Sequence, residues 1–195
     1  MLGSGSPRRR ELLARAGVAF EVAPADIDES PRSGEVAEAL AVRLACEKAL
    51  AVARRIGAGP ARLVLGADTI VVLGTDVLGK PVDRADAERL LGRLVGRAHR
   101  VLTGVALVAS DRPGAASRLV ESRVVMRPAS DDEIRRYVAT GEPLDKAGAY
   151  AAQGEGRRFI ERIEGSESNV IGLPLEETLA LLREAGLHAG AANLA

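Results

Sequence analysis

The segment Gly3-Ser4-Gly5-Ser6-Pro7-Arg8-Arg9-Arg10-Glu11-Leu12-Leu13 brings together residue types that hold an anion. Ser6 is placed to cap a helix, and Pro7 suits its first position, where the missing N–H is no loss. Leu12, Leu13 and Ala16 give that helix an apolar face, and Gly17 can end it. A Gly/Ser loop opening a helix presents backbone N–H groups and the positive end of the helix dipole, which suits phosphate. Arg8 and Arg9 fall in the first turn, where positive charge opposes the dipole. A phosphate gripped by a guanidinium would offset this; arginines directed to solvent are the alternative. A second group is acidic. Asp68 ends the apolar run Leu63-Val64-Leu65-Gly66-Ala67, at the kind of strand end where open α/β sheets place ligands. A carboxylate there can hold a metal, take a proton from water or simply cap a turn. Asp26, Asp28 and Glu29, between Pro24 and Pro31, can add a second metal-binding carboxylate or remain solvated. Magnesium is satisfied by a few carboxylates plus phosphate oxygens. Carboxylates accompanying a Ser/Arg anion loop therefore point to a metal–nucleotide substrate.

The basic residues are unevenly chosen. Of 27 Lys and Arg, three are lysine: Lys48, Lys80 and Lys146. Codon composition can produce such a bias. Alternatively, the three mark places where a compact, rotatable ammonium is wanted and a planar fork does not fit. Other chemistry is absent. Gly79-Lys80-Pro81 is no phosphate-binding P-loop, and Gly154-Glu155-Gly156 is too short for a dinucleotide fingerprint. His99 and His188 have no metal-ligand spacing, and His99 reads as structural. Gly3-Ser4-Gly5-Ser6 does not form a serine nucleophile elbow.

Alternating strands and helices must position these groups. Val18 to Ala23 alternates like a strand, and Ser33 can cap a long helix to about Ile56. Leu63 to Leu73 reads as a strand that turns at Gly74-Thr75-Asp76 and returns through Val77-Leu78. Asp83 caps a helix to about Leu94. Val101–Ala109 and Arg118–Met126 read as two long antiparallel strands, so the sheet should be mixed. Ser130 and Glu133 predict a capping box for a helix to about Thr140. A glycine-rich loop from Gly141 to Gly156, a strand at Arg158–Ile163 and a helix from Pro174 to about Gly186 follow. Residues 187–195 read as frayed.

Composition narrows the classes. At 195 residues, 47% hydrophobic and 28% charged, the chain is an ordinary globular protein with room for one large domain or two small lobes. Formal net charge is +0, which argues against bulk nucleic-acid binding. Two Tyr, two Phe and no Trp leave no stacking platform for single strands. Cys46 is the one cysteine and reads as a small helix residue. No apolar run reaches membrane-spanning length and no signal peptide is evident, so the expected location is cytoplasmic.

Together these segments resemble the Maf family of nucleoside triphosphate pyrophosphatases over nearly the whole chain. The matching pieces, in order, are Ser4-Gly5-Ser6-Pro7-Arg8-Arg9, Asp26-Ile27-Asp28-Glu29, Leu44-Ala45-Cys46-Glu47-Lys48-Ala49, Gly66-Ala67-Asp68-Thr69, Gly79-Lys80-Pro81 and Thr103-Gly104-Val105. They continue through Gly141-Glu142-Pro143-Leu144-Asp145-Lys146-Ala147-Gly148-Ala149-Tyr150, Gln153-Gly154, Ile163-Glu164-Gly165-Ser166 and Asn169-Val170-Ile171-Gly172-Leu173-Pro174. All three lysines fall inside them.

The resemblance implies one Maf-like domain over residues 1–195, an α/β fold with a mixed sheet, flanking helices and two lobes around a deep cleft. It implies hydrolysis of a nucleoside triphosphate to monophosphate and pyrophosphate with a divalent metal, Mg or Mn. By the same resemblance Asp68 is the proton acceptor or a metal ligand, and Glu29 the second metal carboxylate. Lys48 and Lys80 are the catalytic, phosphate-facing lysines, and Ser6 and Arg9 form the anion loop. Arg8, Thr69 and Gln153 set base preference, in the branch that prefers dTTP and UTP. No nucleic acid or membrane is implied as partner, and a homodimer is left open. Two other readings stand beside this: a regulatory protein-binding factor in cell division, and a different nucleotide enzyme, such as one acting on a modified-base triphosphate. The family usually places several apolar residues of a first strand before the Ser-x-Ser-Pro loop; here Met1-Leu2-Gly3 precede it.

Overall fold

A computed structural model describes residues 1–56, 60–111 and 114–187. Its elements are α1 (Pro7–Arg15), α2 (Ala37–Ile56), β1 (Leu63–Leu73), β2 (Asp76–Leu78), α3 (Arg84–Leu94), β3 (Ala98–Ala109), β4 (Ala116–Met126), α4 (Asp131–Ala139), β5 (Ile160–Glu164), α5 (Glu167–Ile171) and α6 (Leu175–Glu184). The five strands form one sheet in the order β2-β1-β3-β4-β5. β1 pairs antiparallel with β2, and β4 with β5. Parallel pairing enters through Leu2, which bridges both Val22 and Leu65. The continuous apolar run of β3 reflects burial on both faces, whereas β4 alternates between buried and exposed residues near its end.

The chain divides into two compact units. The first comprises residues 1–68, 103–120 and 172–195, and the second residues 69–102 and 121–171. The division falls within β1, between Asp68 and Thr69.

In the first unit, α2 lies directly on strand backbone. A Cβ on Gly66 of β1 would lie 2.1 Å from the Ala45 carbonyl oxygen, and one on Gly104 of β3 would lie 2.2 Å from that of Ala41. Only glycine allows this approach. Ala45, Ala49 and Val52 of α2 pack with Val64, Ala106 and Val108 into a small-residue core. Because strand side chains alternate, Gly66 and Asp68 share the face that α2 covers. Gly66 thus brings the helix close enough for Lys48 to reach Asp68.

In the second unit, Leu90, Leu91 and Leu94 of α3 pack with Ile134, Tyr137 and Val138 of α4 and with Val71, Val101 and Val124 of the sheet. Each buried leucine contributes about 1.5–3 kcal/mol. Local signals are met here. Asp83 accepts a hydrogen bond from the Asp86 N–H at 2.8 Å, and Ser130 and Glu133 form both halves of a capping box.

Other expectations change. Val18–Ala23 is not a strand: among the described residues Val22 forms a single bridge, to Leu2. Ser33 lies in a turn and α2 begins four residues later, because Gly34 at φ +72° turns the chain before the helix can start. Ser6 occupies the N-cap position of α1, yet its side chain makes no capping hydrogen bond. The glycine-rich stretch contains short 3₁₀ turns at Glu142–Asp145, Ala147–Ala149 and Gly154–Phe159. The five-residue α5 has no counterpart among the elements the sequence pattern predicts. His188 and most of the tail expected to fray lie outside the described residues.

Candidate active site

In the first unit, Lys48 gathers the acidic residues. Its ammonium lies 2.6 Å from Asp68 Oδ1 and 2.6 Å from Glu29 Oε1. Lys48 and Asp68 are buried, and Glu29 is about half exposed on its loop. Asp26 and Asp28 are not part of this cluster in the same way. Asp28 accepts the Ser30 N–H at 2.9 Å, which closes a local turn, and hydrogen bonds from the Ser30 side chain and N–H hold its carboxyl below the usual range. Of the acidic loop, Glu29 is therefore the residue delivered to Lys48.

A clamp holds that loop. Arg43 of α2 grips Glu35 with two parallel bonds, Nε to Oε1 at 2.6 Å and Nη2 to Oε2 at 2.8 Å. It also donates to Glu47 at 2.9 Å and to the Ser30 carbonyl at 3.0 Å, one residue beyond Glu29. Arg32 joins the Glu47 carboxylate at 2.8 Å. The Arg43 fork and the Arg32 N–H pull the Glu35 carboxyl down to about 2, so the clamp is ionised through neutral and mildly acidic pH. Neither Arg43 nor Glu35 stands out in the sequence, because each becomes meaningful only when the loop folds back on α2.

The anion loop is partly committed to the protein. Arg9 is buried, with Nε donating to the Gly172 carbonyl at 2.8 Å and Nη1 to Ser4 Oγ at 3.0 Å. Burial pulls its pKa below the usual arginine value, while the nearby Asp68 and Glu29 act in the opposite sense. Arg9 thus belongs electrostatically to the carboxylate cluster and ties the α1 turn to Gly172. Ser4 Oγ also accepts the Ser6 N–H at 3.3 Å. Arg8 is half-buried, with no ion-pair partner among the described residues.

The second unit carries Thr69, Lys80 and Gln153. Lys80 is exposed, and its ammonium has no ion-pair partner among the described residues. Its backbone is nevertheless held, since the Gly79 carbonyl accepts the Gly148 N–H at 3.0 Å and Pro81 is buried. Thr69 and Gln153 are half-buried, and Gln153 opens the turn at Gly154–Phe159. Lys146 does not share this character: it donates to the Glu142 carbonyl and to Asp145, and so braces its own loop. His99 is structural as expected. It is buried with Nε2 2.8 Å from Tyr150 Oη, and burial pushes its pKa down to about 4. The sequence reading also missed Glu142, whose carboxylate organises the glycine-rich stretch.

Glu29 and Asp68 suit a hard divalent cation. They are oxygen donors that converge on one point, marked by the Lys48 ammonium. Among the described residues no group of three or more His, Cys, Asp or Glu is placed to hold a metal. Among the described residues no helix is long and apolar enough to cross a membrane.

A "dTTP/UTP pyrophosphatase" of Hahella chejuensis is 54% identical over 187 residues, covering 96% of this chain and 92% of its own. Proteins of the same name from Myxococcus xanthus and Geobacter sulfurreducens are 53% and 50% identical, over 96% and 95% of this chain and 92% and 96% of theirs. A crystal structure of a "Nucleoside-triphosphatase / dITP/XTP pyrophosphatase" from Mycobacterium abscessus covers 95% of this chain and 93% of its own, at 14% identity and a TM-score of 0.43, too low to bear on the argument. The model of the Maf-like protein family matches residues 1–185, and the chain belongs to that family.

Proposed function

We propose that the chain hydrolyses nucleoside triphosphates, with dTTP and UTP as its best common substrates, to the monophosphate and pyrophosphate. The observation that carries this reading is the buried Lys48 ammonium held 2.6 Å from both Asp68 and Glu29. The choice of base follows the names of the relatives at 50–54% identity.

Asp68 orients the attacking water and accepts its proton. The water oxygen bonds to the α-phosphorus, the bond from that phosphorus to the bridging oxygen breaks, and pyrophosphate leaves. Glu29 and Asp68 would hold a divalent cation, Mg or Mn, which when bound offsets phosphate charge. Lys48 keeps the two carboxylates together despite their mutual repulsion, and Arg9 adds positive charge beside them. Lys80 supplies an ammonium to phosphate oxygens as charge develops on the leaving group. The N-terminus of α1, with Ser6 as its N-cap residue, offers N–H groups to an anion. Arg8, Thr69 and Gln153 read the base.

The test is a panel of common nucleoside triphosphates with the products identified in the presence of Mg or Mn. dTTP and UTP should give the highest kcat/KM, with monophosphate and pyrophosphate appearing in equal amounts. Orthophosphate released without added inorganic pyrophosphatase would place attack at the γ-phosphorus and overturn the assignment. Loss of turnover on chelation, restored by adding Mg or Mn, tests the cation.

A further inference from the structure

Resting on the pyrimidine triphosphate reading above, we infer that Glu142 is a positioning residue for base selection: it fixes the backbone that presents Gln153. Glu142 Oε1 accepts the Gly156 N–H at 3.0 Å and the Tyr137 hydroxyl at 2.9 Å, and Oε2 accepts the Glu155 N–H at 3.1 Å. Successive N–H groups beside a left-handed residue form a concave anion seat. Here Gly154, at φ +72°, supplies the left-handed turn. The fit is close: a Cβ on Gly154 would lie 2.6 Å from Glu142 Oε2. The anion in this seat is the protein's own carboxylate.

The same carboxylate controls the other side of Gln153. The Tyr137 hydroxyl that donates to Glu142 also accepts the Ala151 N–H, at 3.2 Å. Gln153 therefore lies between Ala151, tied through Tyr137, and Glu155, tied directly. Tyr137 is itself fully buried and packed edge-on against Phe159. Burial opposes charge on Glu142, but the Gly156 and Glu155 N–H groups and the Tyr137 hydroxyl outweigh it and keep the carboxyl below its usual range. These bonds are charge-assisted and so stronger than neutral ones. The Gln153 side chain, by contrast, has no hydrogen-bond partner among the described residues. Its backbone is held on both sides while its amide is left for a ligand.

An amide carries one donor and one acceptor group. The uracil or thymine edge presents carbonyl oxygens flanking an N–H, whereas cytosine places an amino group and a bare ring nitrogen at two of those positions. An amide held in one place can distinguish the two patterns, because the wrong base leaves polar groups unpaired. An amide free to move by an ångström or to turn over cannot. Selectivity between UTP and CTP should thus depend on Glu142 through Gln153.

The experiment measures kcat and KM for UTP and CTP with the wild type, Glu142→Gln, Tyr137→Phe, Gln153→Ala and the double variant Glu142→Gln/Gln153→Ala, with melting temperatures for each. The wild type should prefer UTP. Glu142→Gln should lower the UTP:CTP ratio of kcat/KM about tenfold, mainly through KM for UTP, and Tyr137→Phe by a smaller factor in the same direction. In the double variant the ratio should match that of Gln153→Ala, because the two residues act through one contact. Equal losses for UTP and CTP in Glu142→Gln, or an additive double variant, would make Glu142 a purely structural brace. Should Glu142→Gln fail to fold, an unchanged ratio in folded Tyr137→Phe overturns the inference equally. A wild type that hydrolyses UTP and CTP alike also overturns it, while one that hydrolyses no nucleoside triphosphate removes the functional reading on which it rests.

Discussion

Lys48 and Lys80 are two of three lysines in the chain, and folding treats them in opposite ways. Lys48 is 7% exposed and locked between two carboxylates. Its helix rests on glycine backbone, and the loop bringing Glu29 to it is fastened by Arg43 and Glu35. Lys80 has a firmly held backbone and an exposed ammonium without an ion-pair partner among the described residues. The difference separates two uses of one charge. A buried lysine cancels the repulsion between carboxylates and so holds them in place. An exposed lysine keeps its charge available for phosphate and loses little if no ligand comes.

The strongest challenge to this division is Asp68→Asn. The change is nearly isosteric, keeps Lys48 beside Glu29, and removes the proposed base. kcat should fall by about 10²- to 10⁴-fold while the circular dichroism spectrum is unchanged. A rate within tenfold of wild type would reduce the Lys48 cluster to a structural ion pair.

Next in size is the paired replacement Lys48→Met and Lys80→Met, followed by thermal melting and steady-state kinetics. Removing Lys48 leaves Asp68 buried without its cation, which costs several kcal/mol when a buried pair loses one partner, roughly 3–5 in measured cases. Its melting temperature should drop by several degrees. Lys80→Met should melt with the wild type and lose about tenfold in kcat/KM. Equal destabilisation by both would erase the contrast.

The smallest expected effect concerns the clamp and depends on pH. The Glu35 carboxyl sits near 2 in the folded chain against an ordinary 4.5, lowered first by Arg43 and then by the Arg32 N–H. A lowered carboxyl contributes stability that is fully present above its unfolded value and is lost as pH falls through the folded value. The melting-temperature gap between wild type and Glu35→Gln should therefore be largest above about pH 4.5 and close towards pH 2. A gap of constant size across that range would mean that Glu35 contributes through packing and not through charge.

How much of this could be read beforehand depends on range along the chain. The Asp83 cap and the Ser130/Glu133 box were legible because each bond spans three residues. The strand expected at Val18–Ala23 does not form because a strand exists only with a partner, and among the described residues that partner is Leu2 alone. Gly66 and Gly104 were visible as glycines, but the reason for them, a helix crossing at backbone distance, lies 17 to 63 positions away at Ala41, Ala45 and Ala49. Arg43 and Glu35 carried no signal of their own, since a charged residue is usually only part of a solvated face, and Glu142 was visible as a member of the Gly141–Tyr150 segment while its hydrogen-bonding role was not.

The sequence by itself determined the family, the residue types of the site and most element positions, because motif order, helix caps and apolar periodicity are local properties. Only the tertiary structure decided the state of each functional group. It buried Lys48 and exposed Lys80, turned Arg9 towards Ser4 and Gly172, and selected Glu29 from three acidic residues. It also set Glu142 in the N–H groups of its own loop. Those outcomes depend on distances between groups far apart in sequence, and electrostatic energy follows distance and burial, which no residue type encodes.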